Sequence, residues 1–435
     1  MVRELKHTEI GDIPVDWELQ TFDETFRVIS NNTLSRENLN NRGGAVRNIH
    51  YGDILTKFPE VLDCNEEEIP YVNELSLLSS STQLLQDGDI VVADTAEDET
   101  VGKVIEVQNL GDSKLVAGLH TIPCRVKKGE FAPGWLGYYM NSDLFHNQIL
   151  PYITGIKVSS ISKGAISETL ILVPPFDEQK KIVQSLNKIQ LLMTAETKVV
   201  NKIKLVKNGC LSKMFPQKDD TVPEMRLPGF TEAWEQRKLL DCIQKITDFR
   251  GRTPKKLGMD WSEEGYLALS AFNVKNGYID FNQDVHYGNQ ELYDKWMTGN
   301  ELHKGQVLFT TEAPMGNVAQ VPDNRHYILS QRTIAFDVKD KLITENFLAT
   351  VLRTPTVFAD LTALSSGGTA KGVSQKSLAS VEIRLPKDLN EQEKIADTFF
   401  NLDHLITLHQ CKCDKYSNIK KGMMSDLLTG KIRLV

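Results

Sequence analysis

One long segment of this chain occurs twice. EQKKIVQSLNKIQLLMTAETKVVNKIKLVKNGCLSKMF, from Glu178 to Phe215, has its counterpart in EQEKIADTFFNLDHLITLHQCKCDKYSNIKKGMMSDLL, from Glu391 to Leu428. The offset, 391 − 178 = 213, is nearly half of 435 residues. Both segments carry apolar or small residues at spacings of three and four. In the first these are Ile182, Leu186, Ile189, Met193, Val200, Ile203, Val206, Cys210 and Met214. In the second they are Ile395, Phe399, Leu402, Ile406, Cys413, Tyr416, Ile419, Met423 and Leu427. That narrow stripe is the pattern of a coiled-coil helix. A lone helix of this kind would pack on its own body; two stripes in matching register favour packing on each other. If the pair is antiparallel, a pseudo-two-fold axis relates the repeats. Glu196 and His409 interrupt the stripe at the same point of each copy. Near the helix midpoints they would meet in an antiparallel pair and fix its register, a known use of buried polar groups; alternatively both reach solvent.

The repetition extends beyond the helices. IPVDWE (Ile13–Glu18) is echoed by LPGFTEAWE (Leu227–Glu235), which aligns Trp17 with Trp234. GDIVVADT (Gly88–Thr95) is echoed by GQVLFTTE (Gly305–Glu312), and ISKGAISETLILVP (Ile161–Pro174) by VSQKSLASVEIRLP (Val373–Pro386). Each repeat therefore runs from a Trp-Glu lead-in through a variable body to a strand closed by proline, then a long helix. The proline cannot donate to a sheet ladder and restrains the chain before the helix. Short apolar runs such as DIVVAD, TLILVP, QVLFTT and RTIAFDV predict strands, and FAPGWLGYYMNSDLFHNQIL and ITENFLATVLRTPTVFADL predict helix. The class is α+β. A first body (1–175), a spacer helix (176–215), a polar linker (216–225), a second body (226–387) and a second spacer helix with its tail (388–435) are expected.

These phrases together resemble the specificity subunit of type I restriction–modification systems. The resemblance rests on TEIGDIPVDWE, PEMRLPGFTEAWEQRKL, the two proline-then-EQ helices and the closing DLLTGKI, and it covers the whole chain in the family's order. It implies two mixed α/β target-recognition domains, joined by a long antiparallel two-helix coiled coil and each reading half of a split, asymmetric sequence in double-stranded DNA. It also implies two methyltransferase subunits docked on the helices, and motor-nuclease subunits that join for cleavage. At about 1.5 Å per residue, the seam would be roughly 50 Å long, against a DNA turn of about 34–36 Å.

Catalytic motifs are missing from the sequence. VPPF (Val173–Phe176) has valine where an adenine methyltransferase needs Asn or Asp, and neither a phosphate loop nor HExxH occurs. The acids Asp94, Glu97, Asp98 and Glu99 read as a solvated loop rather than a metal site. The chain is thus expected to bind no cofactor, leaving S-adenosylmethionine, ATP and Mg to its partners. A self-contained restriction–modification enzyme and a coiled-coil scaffold that never touches DNA are the rival readings. The net charge of −8 excludes a simple polycation, although local charge governs DNA contact. Six cysteines without a CxxC pair, an amino terminus without an apolar core and no apolar run of membrane-spanning length suggest reduced thiols in a cytoplasmic protein.

Base readout needs side chains with paired donors and acceptors. The first body offers Arg36, Arg42, Arg47, Asn48, His50 and Tyr51, with Lys157 on a flexible loop. The second offers Arg250, Arg252, Thr253, Lys255, Asn273, Lys275, Gln331 and Arg332, with Lys371 on the matching loop. The two sets differ, which predicts different half-sites.

Overall fold

In the computed structural model, residues 4–155, 157–217, 220–365 and 372–434 are described. The chain divides into two compact units. One comprises Met1–Ala195 with Lys412–Val435, the other Glu196–Cys411. Each holds one body and half of each long helix, α1 (Phe176–Lys213) and α2 (Leu389–Leu427).

The first body stacks two sheets. Four of its strands frame the argument below: β1 (Arg47–Ile49), β2 (Ile90–Ala93), β3 (Leu115–Ala117) and β4 (Thr121–Val126). β4 pairs with β2 antiparallel in a five-stranded sheet, while β3 pairs with β1 parallel in a four-stranded one. The second body repeats this frame with β5 (Tyr266–Leu269), β6 (Val307–Thr310), β7 (Ile328–Leu329) and β8 (Thr333–Val338). β8 pairs with β6 antiparallel, and β7 with β5 parallel. The strands are short apolar runs buried on both faces, as in β2 and β6, where every residue is buried. The two stretches expected to be helical are each two short helices, Trp135–Tyr139 then Asp143–Ile149, and Glu345–Val351 then Pro355–Leu364. Ser142 and Thr354 divide them, because each side-chain oxygen caps the second helix of its pair.

The lead-in tryptophans anchor the long helices. Trp17 Nε1 donates to Glu178 at 2.9 Å, and Trp234 Nε1 to Glu391 at 3.3 Å. Each carboxylate also takes two hydrogen bonds from an arginine. Arg433 serves Glu178 and also pairs with Asp16; Arg226 serves Glu391. The glutamine that follows each glutamate is buried and ties the helix to its body. Gln179 bonds the Ala132 amide and the Pro174 carbonyl, and Gln392 the Thr344 amide with the Pro386 and Leu342 carbonyls.

Within each unit the helix halves run antiparallel. In the first, Glu178 meets Arg433 while Gln190, farther along α1, meets Lys420. In the second, Glu196 meets His409 at 2.5 Å, and Lys207 meets Asp403. The polar break in the stripe is therefore a contact. Ile182, Leu186, Ile189, Val200, Ile395 and Phe399 are buried, while Met193, Ile203, Leu402, Ile406, Cys413 and Tyr416 are half-buried. Val206 and Ile419 depart from the expectation at 48% and 39% exposed. Lys207 and Lys420, one residue on in each copy, turn inward instead. A straight helix drifts by about 20° per heptad against a 3.5-residue stripe, and after about four heptads the inward face has moved by nearly one residue. Lys207 is thus drawn inward, and burial lowers its pKa against the opposing pull of Asp403.

Candidate nucleic-acid interface

In the first body, polar side chains gather where β1 and β3 end. His50 follows β1, and its Nδ1 accepts the Gly52 amide at 3.0 Å, capping a short helix. Its ring stacks on Tyr51 at 4.7 Å between centroids, and Tyr51 meets His120 edge-on at 5.3 Å. Arg36 reaches the same helix through Asp53, at 2.9 Å. Burial lowers the His50 pKa, and the nearby Arg36 charge adds to that. His120 Nδ1 lies 3.4 Å from Asp94 and 3.3 Å from the Thr95 hydroxyl. Thr95 pairs with Ser160, just beyond the loop that carries exposed Lys157. Arg42 stands apart on a turn held by Asn40.

In the second body, Thr253, Lys255, Gln331 and Arg332 line a cleft of about 400 Å³ at the ends of β5 and β7. Trp261 and Trp296 contribute aromatic walls, and exposed Phe272 stands beside them. Phe272 is held there by a tight turn. The Asn273 side chain accepts from the Ser270 amide and hydroxyl, and Ser270 Oγ accepts the Phe272 amide. Arg252 lies over the Phe249 ring at 4.4 Å and donates to the Trp296 carbonyl, while Gln331 donates to the Arg252 carbonyl at 2.5 Å. Arg332 Nε lies 3.2 Å from Glu312. Arg250 pairs with Asp248; burial pushes that carboxyl up, but bonds from Arg250 and Gln375 outweigh it and hold it below its usual range. Lys275 bonds Gln283 at 2.5 Å, outside the cleft lining.

Four expected readers are corrected by this geometry. Arg47 and His50 are each 9% exposed; Arg47 donates to the Cys64 carbonyl, and His50 Nδ1 is taken by the Gly52 amide. Asn48 is fully buried against Asn32. Asn273, also fully buried, knits its turn to the Asp280 and Gln283 carbonyls. All four build the frame instead of presenting an edge. Lys371 lies outside the described residues. His120 and Phe272 were not expected from the sequence: His120 follows Gly-Leu in an unremarkable loop, and Phe272 read as an ordinary apolar residue.

Buried Glu106 accepts the Gly134 and Gly137 amides at the start of the Trp135–Tyr139 helix, and burial raises its pKa. It has a structural task. None of the six cysteines is in a disulfide, and burial pushes Cys64 up to about 11 and Cys124 to about 12. Among the described residues, no three His, Cys, Asp or Glu side chains cluster as metal ligands, and no helix is long and apolar enough to cross a membrane.

The family model for the type I restriction modification DNA specificity domain matches twice, over residues 14–205 and 231–415. A chain from Methanocaldococcus jannaschii named for the specificity subunit of a type I restriction enzyme, MjaX, is 26% identical over 435 residues, covering 99% of this chain and 96% of that one. The MjaVIII specificity subunit from the same organism is 24% identical over 290 residues, covering 64% and 66%. Among solved structures, the S subunit of a type I restriction–modification system from M. genitalium superposes with a TM-score of 0.59 at 13% identity, covering 98% of this chain and 99% of that one. A chain from a study of type I system assembly and conformational transition gives 0.51 at 14%, covering 97% and 99%. With two matches that take in both bodies and most of both long helices, the chain belongs to the type I restriction modification DNA specificity family.

Proposed function

We propose that this chain reads a bipartite, asymmetric DNA sequence, one half-site per body, and docks two methyltransferase subunits on its paired helices. Motor-nuclease subunits would join that core for cleavage. S-adenosylmethionine, ATP and Mg would act on those partners, and the assembly would work in the cytoplasm. One observation carries the reading: the bodies share a strand frame yet place different polar side chains at its open end, Tyr51 and His120 in one and Gln331 and Arg332 in the other. A common frame with divergent side chains suits two related modules that read different sequences.

The test is to map methylated bases in DNA exposed to this chain with its methyltransferase partner. A split target is expected, and exchanging the two bodies should exchange its halves. A continuous target, or no sequence preference, would overturn the reading. The chain alone should transfer no methyl group from S-adenosylmethionine; transfer would favour the self-contained enzyme.

A further inference from the structure

His120 and Arg332 occupy the same place in the two bodies, at an offset of 332 − 120 = 212. Each immediately precedes the long strand of its sheet, β4 or β8. Both are non-glycine residues in the left-handed region, with φ of 57° and 64°. The surrounding hydrogen bonds match. The Asp94 amide donates to the His120 carbonyl and the Thr311 amide to that of Arg332. The Ile161 amide then donates to the Asp94 carbonyl, and that of Val373 to Thr311. Each basic side chain is steadied by an acid from the neighbouring segment, Asp94 for His120 and Glu312 for Arg332. Both side chains remain about half exposed, at 44% and 48%.

Left-handed backbone is uncommon outside glycine; histidine enters it more often than most residues, whereas a long side chain such as arginine is disfavoured there. Such strain persists where the surroundings enforce it, and it gathers at functional positions. Here the same strained conformation recurs in both bodies while the side chain changes from imidazole to guanidinium. The backbone is kept and the recognising group varies, as expected of a position that sets specificity. Building on the DNA-reading role proposed above, we infer that His120 and Arg332 are equivalent readout residues, one per half-site. Arg332 presents a two-donor fork suited to the O6 and N7 acceptors of guanine in the major groove. His120, braced by Tyr51, presents a single donor or acceptor and makes a less restrictive contact.

The experiment uses the full chain with its methyltransferase partner and a panel of duplexes in which each target base pair is varied in turn. Asparagine tolerates left-handed backbone, so Arg332→Asn and His120→Asn are the first variants; Arg332→Gly and His120→Gly remove the side chain with no backbone penalty and serve if the asparagine variants melt early. Each substitution should relax preference at one base pair of one half-site. For Arg332→Asn the loss of discrimination should be about 10- to 100-fold, with the other half-site and affinity for unrelated DNA unchanged. Arg332→Lys should not restore it, because a point charge lacks the fork. A uniform loss across all sequences with a shallower salt dependence would mark a phosphate contact and overturn the inference, as would unchanged discrimination. A parent complex without any sequence preference would instead reject the DNA-reading role itself.

Discussion

Glu178 and Glu391 each sit in the first turn of a long helix, each beneath a tryptophan indole, and each is neutralised by an arginine from a different part of the chain. A carboxylate there faces the positive end of the helix dipole, but Glu391 is nearly inaccessible and so depends on Arg226. Glu391→Ala should leave the part-buried Arg226 guanidinium with the Glu232 carbonyl but no carboxylate, and destabilise the second unit by about 3 kcal/mol, read from urea unfolding. His50 gives a pH-dependent counterpart. Its folded pKa lies below the ordinary value of 6.5. As pH falls below that value, the unfolded chain binds a proton that the folded chain resists, so stability should decline. His50→Asn preserves a capping side chain and should flatten that decline in denaturant midpoints measured across the range; an unaltered slope would assign the decline to other groups. The repeated Glu-Gln pairs were visible in the sequence, but their tasks were not. Most partners lie tens to hundreds of residues away, and neither Arg226 nor Arg433 falls within a repeated phrase. Arg332 was among the expected readers, but His120 and the equivalence of the two were hidden for another reason: left-handed backbone is usually signalled by glycine, and here the fold imposes it on other residues.

The helix pairs show how far a periodic pattern can be trusted. From Ile182 to Ile203 the stripe and the inward face agree, and Glu196 meets His409 as the antiparallel arrangement requires. At the next position the 3.6-residue helix has outrun the 3.5-residue stripe, and lysines replace Val206 and Ile419 on the inner face; the four-residue steps that follow bring Met214 and Leu427 back to buried positions. A double-mutant cycle with Glu196→Leu and His409→Leu should show a coupling of about 0.5–3 kcal/mol. If the doubly substituted protein kept the same helix register and the same spacing between methylated bases, the pair would not be what fixes register. Capping offers a matched test. Ser142→Ala and Thr354→Ala remove equivalent caps from the two bodies, and each should lower stability by about 1 kcal/mol in thermal or urea melts. The expected single helices were misjudged there because apolar spacing continues through the cap, while the side-chain oxygen ends one helix and begins the next.

At the scale of the molecule, duplication was the most legible feature. It indicated two bodies, two long helices and the order of parts, because repeated phrases survive where packing constrains them. The parallel strand pairs and the open ends that gather the polar side chains were not legible, since nothing in β1 or β5 announces its neighbour. The way the units are cut from the chain has a consequence for synthesis. The second unit, Glu196–Cys411, is one uninterrupted run, whereas the first needs Lys412–Val435 to be complete. Leu427 and Leu428 lie in the same core as Trp17, and Arg433 neutralises Glu178. Ribosomes usually release domains to fold from the amino terminus onward; here the earlier-made unit is expected to wait for residues up to 435 − 195 = 240 positions later. At 5–20 residues per second that delay is roughly 10–50 s. Released chains that end after residue 411 should therefore carry a protease-resistant second unit and a sensitive first one, and the first should gain resistance only when Lys412–Val435 is included.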